Sequence, residues 1–125
     1  MFKFKSLIGL SALILFIPTP AKAEWLQVGL LKDNSEIYVD IDSATIQNSL
    51  VTFWQRRLFA LPQANGTLTL DSKMIIDCNS GKMKITQLTS FDSSGRVLFN
   101  APVNEMPKLI NANSGQADVA NFLCR

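Results

Sequence analysis

"TLTLDSKMIIDCNSGKMKITQLTSFD", residues 67–92, reads as two strands and the turn between them. Leu68 and Leu70 alternate with Thr67, Thr69 and Asp71, and the run becomes wholly apolar from Met74 to Ile76. A period of two puts successive side chains on opposite faces of a strand. Asn79-Ser80-Gly81 then makes a tight turn. Beyond it, regular alternation predicts Met83, Ile85, Gln87, Thr89 and Phe91 on one face, and Lys84, Thr86, Leu88 and Ser90 on the other. So short a connection joins antiparallel neighbours, because a parallel return needs a crossover of about a dozen residues.

The same grammar repeats on both sides of this hairpin. Ser93-Ser94-Gly95 turns the chain into "RVLFNAPV", residues 96–103. Upstream, "LVTFWQRRLFAL" (50–61) is a long run of branched and aromatic residues, which favour strands, and Pro62 stops it. "WLQVGLL" (25–31) alternates weakly and ends in the turn-rich "KDNS". "EIYVDI" (36–41) sets Ile37, Val39 and Ile41 against Tyr38 and Asp40. "DSATIQNS" (42–49) is expected to be a connection in which Asp42 or Ser43 caps a single helical turn. "NEMPKLINANSGQ" (104–116) is polar and aperiodic, as in a long connection.

Helical spacing occurs in "SGQADVANFLC" (114–124), where Val119 stands four residues from Leu123 and three from Phe122. Ser114 or Asn113 is the expected N-cap, and Asp118 lies in the early part. A helix this short is marginal alone in water, so it must dock. The expected fold class is α+β: a single antiparallel meander sheet of about six strands packed against a C-terminal α-helix, with one disulfide.

The N-terminus sets the compartment. In "MFKFKSLIGLSALILFIPTPAKAEW", Lys3 and Lys5 precede an apolar run from Leu7 to Ile17, shorter than the roughly 20 residues of a spanning helix. Pro18 and Pro20 lead into Ala21-Lys22-Ala23, a small-x-small cleavage pattern. Residues 1–23 are therefore expected to be a cleaved signal peptide and 24–125 a single exported domain; the alternative is an uncleaved anchor. No cysteine lies near the cut, so no lipid is expected there, and the product should be soluble in the periplasm or outside the cell. Loss of Lys3, Lys5 and Lys22 takes Lys+Arg from 12 to 9 against 10 Asp+Glu, so net charge moves from +2 to −1. A chain with that balance has no general attraction for nucleic acid.

Export makes the two cysteines interpretable. In an exported chain of this size, Cys78 and Cys124 read as one disulfide closing a loop of 46 residues; two free thiols are the alternative. Such a staple matters in a domain too small to bury a large core.

The chain has no histidine, which excludes Ser-His-Asp and Cys-His nucleophiles and the usual imidazole zinc sites. Neither a P-loop nor a G-x-G-x-x-G is present. Asp40 and Asp42, two apart, would share a strand face and could bind a cation or work as acid and base; the plainer expectation is a strand end and a turn residue. Asp77, beside Cys78, reads as structural. The candidate binding residues are Trp54, Arg56 and Arg57. Trp and Arg are enriched at interface hot spots, and Arg holds carboxylates by two parallel bonds. Adjacent in a strand, Arg56 and Arg57 point to opposite faces, and one of them is expected to lie over the sheet and pair with an acid. Asn65-Gly66-Thr67 matches a glycosylation sequon, which a bacterial-type leader makes irrelevant. No catalytic residue, metal or cofactor is expected.

"EW" at the mature start, "YVDIDSATI", "FWQRR", "IIDC", "SFDSSGRVL" and the terminal helix ending in cysteine occur in an order that resembles the bacterial surface-adhesin protein E-like domain. The resemblance spans nearly all of the mature chain. It implies an antiparallel sheet, a helix and a disulfide joining them, with Cys78 and Cys124 at the bridging positions. Trp25, Tyr38, Asp40, Trp54 and Gly95 fall on recurring family positions that look structural. The founding type is an outer-membrane lipoprotein that binds host matrix and serum proteins and dimerises. No lipidation cysteine stands at the cut here, and no adhesive residue carries over by position. The expected function is thus an exported non-catalytic binding protein, with a host matrix, serum or envelope protein as partner. The alternatives are a periplasmic accessory protein that self-associates through its sheet edges, and a small enzyme using carboxylates alone.

Overall fold

The computed structural model describes residues 23–125, so the leader expected at the N-terminus falls almost wholly outside the described residues. The strands are β1 (Trp25–Leu30), β2 (Glu36–Asp40), β3 (Thr45–Gln47), β4 (Leu50–Leu58), β5 (Thr69–Asp77), β6 (Lys82–Phe91), β7 (Val97–Pro102) and β8 (Lys108–Leu109), followed by helix α1 (Gly115–Leu123). Six of them form the antiparallel path β1-β2-β4-β5-β6-β7, which is the expected meander. β3 pairs with β4, and β8 with β6, off that path. Both short strands lie where connections were expected. Each is held by the backbone of a longer neighbour, which a local pattern does not report.

The turns follow from their residues. Gly81 takes φ +70° and Gly95 φ +86°, a left-handed backbone that side chains with a Cβ resist. Asp77 Oδ1 accepts the amide of Asn79 at 3.0 Å, and Asp92 Oδ1 those of Ser94 at 2.9 Å and Arg96 at 3.0 Å. A short aspartate side chain replaces a backbone acceptor in such turns. The helical turn expected at Asp42 or Ser43 does not form. Asp40 organises that corner instead, through its carbonyl to Ser43 and its carboxylate to the Asp42 amide at 3.1 Å. β2 accordingly ends at Asp40, and Ile41, expected on the side of Ile37 and Val39, is 38 % exposed.

One departure changes the faces of the sheet. Lys73 pairs with Gln87 but Met74 pairs with Ile85, so Thr86 is an extra residue and its hydroxyl donates to the Lys73 carbonyl at 3.2 Å. A bulge of one residue reverses the side-chain parity beyond it. Met83 and Ile85 therefore face α1 with Met74, while Gln87, Thr89 and Phe91 face the other way with Asp71 and Lys73. The single face expected for Met83 through Phe91 is split in two.

Ile37, Val39, Val51, Phe53, Met74 and Ile76 form the buried face, and Val119 of α1 closes it. Burying Val119 contributes roughly 1.5–3 kcal/mol. Ser114 caps α1 by accepting the Ala117 amide at 3.3 Å, and Gln116 Nε2 donates to Gln55 Oε1 at 3.0 Å. Cys124 ends the helix and is bonded to Cys78, just past β5.

Candidate binding face

The face opposite α1 is built from one cross-strand row. Gln27 pairs with Tyr38, Tyr38 with Arg56, Arg56 with Asp71, Asp71 with Thr89, and Thr89 with Asn100. Side chains in register on neighbouring strands stand close enough to interact. At the centre, Arg56 Nε and Nη2 donate to Asp71 Oδ1 and Oδ2 at 2.7 and 2.8 Å, a bidentate pair. The Arg56 guanidinium lies over Trp25, 4.3 Å from the ring centroid, with Phe91 at 6.0 Å. The hydrogen bonds it donates to Asp71 push the guanidinium's pKa above its already high ordinary value, so its charge is permanent. Asp71 is buried, whereas a third of the Arg56 side chain reaches solvent. Two of five guanidinium N–H donors are committed to Asp71, which leaves donors for a partner.

Around this centre stand Tyr38 and Trp54, both half-buried on the same face. The Tyr38 hydroxyl donates to Glu36 Oε1, and that bond raises the phenol above its ordinary pKa. Trp54 pairs with Lys73, and its amide donates to Ser43 Oγ at 3.4 Å. At the far end, Gln87 Nε2 and Thr89 Oγ1 both donate to Asn100 Oδ1, at 2.9 and 3.1 Å.

Trp54 and Arg56, expected as candidates, thus lie together. Arg57 does not join them. It pairs with Ile37 on the helix-side face, donates to Asp33 Oδ2 at 2.9 Å and covers the Phe59 ring at 4.7 Å. Ser35, above all, holds the Asp33 carboxyl below its ordinary pKa through its hydroxyl and amide. Both arginines therefore pair with an acid. Trp25 and Asp71, which complete the Arg56 site, stand 31 and 15 residues from it in sequence. Only sheet order brings them in.

Asp40 and Asp42 do not form a working pair. Asp40 is buried and accepts the Glu24 amide at 3.0 Å as well as that of Asp42, while Asp42 itself is exposed. Among the described residues no cluster of acidic or cysteine side chains is placed to hold a metal. Asp77 accepts from Ser49 Oγ at 2.9 Å and from its own turn, the structural role expected of it. This face presents aromatic rings, hydrogen-bond donors and a fixed positive charge.

No helix among the described residues is long and apolar enough to cross a membrane. No curated protein and no solved structure matches the chain. The sequence profile of surface-adhesin protein E matches residues 25–125, which include every strand, the helix and both cysteines. With that coverage, and a helix bound to the sheet through Cys78 and Cys124, the chain belongs to the surface-adhesin protein E family.

Proposed function

We propose that the protein is an exported, non-catalytic module that binds another protein through the helix-free face of its sheet. In this proposal residues 1–23 direct export and are removed, and residues 24–125 act in the periplasm or at the cell exterior. The contact residues are Trp25, Tyr38, Trp54 and Arg56, with a host matrix or serum protein as partner. The supporting observation is the Arg56 guanidinium, clamped by Asp71 and stacked on Trp25, with its edge in solvent beside Trp54. A rigid cation among aromatic side chains is a typical hot-spot composition. Family membership supports a binding role rather than catalysis.

The test pairs location with binding. Protease shaving of intact cells, with a periplasmic marker as control, should clip the protein and spare the marker. Trp54→Ala should then weaken binding to immobilised matrix protein by about tenfold or more, as for a hot spot. Arg57→Ala, on the other face, should leave binding unchanged. Equal binding by both variants overturns the assignment of this face.

A second reading is favoured by one feature. Among the described residues β7 has a partner on one side only, and its Val97, Leu98 and Phe99 are 57, 41 and 40 % exposed. An apolar edge strand is a site for strand addition. In this reading the protein self-associates or pairs with an envelope protein through β7. A periplasmic location in the shaving experiment, with a complex lost on Leu98→Lys, favours it.

A further inference from the structure

The same helix-free face has a second, chemically different end. Leu50 pairs with Asp77, Ile75 with Lys84, and Asp77 with Lys82, so these side chains share the face of Trp54 and Arg56 two to six residues further along. The connection before β8 folds over them through Met106 and Pro107. Together they enclose an open groove of about 560 Å³. Leu50, Ile75, Met106 and Pro107 give its lining aliphatic and thioether carbon, and Lys82 and Lys84 line it as well.

Charge in the groove is unevenly committed. Asp77 accepts the Asn79 amide, the Ser49 hydroxyl and the Ser80 amide, and these bonds hold its carboxyl below the ordinary pKa. Glu105, near the groove, accepts the Ile85 amide at 3.1 Å. Both carboxylates are thus directed at protein N–H or O–H groups. Lys82 and Lys84 have no carboxylate within ion-pair distance among the described residues, and Lys73 stands unpaired in the next row. Two free cations bordering an apolar trough complement a molecule with one anionic end and an apolar body. Volume is the second constraint. A groove of this size suits a small molecule, with apolar lining for affinity and a few polar groups for orientation. The lining holds no aromatic ring to stack on, and its flexible Met106 is 84 % exposed, which suits an aliphatic chain.

We infer that this groove binds a single-chain aliphatic carboxylate, its chain along Leu50, Ile75 and Met106 and its head group on Lys82 and Lys84. The site is separate from the Trp25–Arg56 cluster and goes beyond the protein-binding role proposed above.

The experiment is a titration of the folded, disulfide-bonded residues 24–125 with sodium decanoate below its micelle concentration, followed by amide NMR. Decyltrimethylammonium and decyl maltoside serve as probes of the same chain with other heads. Decanoate should shift the amides of Ile75, Lys84 and Met106 in a saturable manner, and leave those of Trp25 and Arg56 in place. The two other probes should bind at least tenfold more weakly. Lys82→Gln with Lys84→Gln should weaken decanoate about tenfold, and Met106→Glu should abolish saturation. All three positions are on the surface, and an unchanged amide spectrum elsewhere verifies the fold. Equal binding of the three head groups overturns the inference, because the lysines then read nothing. So does the absence of saturable shifts in the folded wild type, or saturation centred on Trp54. None of these results bears on whether Trp54→Ala weakens protein binding, so the two proposals fail separately.

Discussion

Replacing Cys124 with serine removes the one covalent link between α1 and the sheet. The bond closes a separation of 46 residues, and its loss returns that loop entropy to the unfolded chain. For such a loop the chain-entropy relation gives about 4 kcal/mol. Domains of this size are stable by about 5–15 kcal/mol, so the loss is large without guaranteeing unfolding. The unfolding entropy of a domain near 100 residues is about 0.2 kcal/mol per degree, which turns 4 kcal/mol into a fall in Tm of roughly 15–20 °C. The helix keeps noncovalent contacts: Val119 in the core, the Ser114 cap and the Gln116–Gln55 hydrogen bond. Its local opening should nevertheless become easier than opening of β4 and β5. The assay is calorimetry with amide hydrogen exchange on the wild type, Cys124→Ser and the double Cys78→Ser, Cys124→Ser protein. The two variants should melt alike, because the liberated thiol adds nothing to the fold. Exchange should accelerate first in residues 115–123. A Tm within about 5 °C of the wild type, with α1 still protected, would refute the account of the disulfide as the helix's staple. So would labelling of both thiols in unreduced native protein.

The Arg56–Asp71 pair should respond asymmetrically, since Asp71 is buried and Arg56 partly exposed. Arg56→Ala strands a buried carboxylate and should cost about 2–3 kcal/mol in urea unfolding, whereas Asp71→Ala should cost about 1 kcal/mol; the reverse order would contradict the geometry. Acid should destabilise the fold through its turn aspartates. Ser94's hydroxyl, with the Arg96 amide, lowers Asp92 to about 2, and Asp77 and Asp33 are lowered too. Since the folded pKa lies below the unfolded one, this stability is complete above about pH 4 and is lost as pH falls toward 2. Carboxyl NMR of Asp92 should give a midpoint near 2, and Asp92→Asn should flatten the fall of Tm across that window. Gly115→Ala should destabilise despite alanine's helix preference of about 1 kcal/mol. A Cβ there would collide with Leu31 Cδ2 and meet the buried Ile37 Cδ1 at 2.9 Å. A rise in Tm would mean that Leu31 and Ile37 yield freely.

Much of this fold is local and therefore legible in the chain. Ile37, Val39 and Phe53 alternate with polar or amphipathic neighbours, and each lies where the period of two puts it, whereas the apolar run from Met74 to Ile76 marks a strand without marking its faces. The turns at Asn79-Ser80-Gly81 and Ser93-Ser94-Gly95 announced the meander, and Ser114 was one of two residues expected to start the helix. β3 and β8 were not legible, because three and two residues become strands only when a neighbour's backbone pairs with them. The candidate face was half legible: parity separates Arg56 from Arg57, but only the register selects Asp71 and Trp25 as partners of Arg56.

Thr86 is where local and nonlocal information conflict, and the face depends on how the conflict is resolved. Strict alternation in β6 would keep Met83 and Ile85 with Gln87 and Thr89. Either the Gln87 amide and the Thr89 hydroxyl would then enter the core beside Phe53 and Met74, or two large apolar side chains would lie bare opposite α1. The first leaves polar groups buried without partners, and the second forfeits the burial that docks the helix. One extra residue avoids both, at the cost of a single interrupted ladder position, and the Thr86 hydroxyl recovers a hydrogen bond by donating to the Lys73 carbonyl. The bulge therefore gives β6 an apolar half under the helix and a polar half in the Arg56 row. Nothing in the composition of residues 82–91 marks Thr86 as the odd residue. Its position is set by β5, whose Met74 must face Val119 and whose Lys73 must face away.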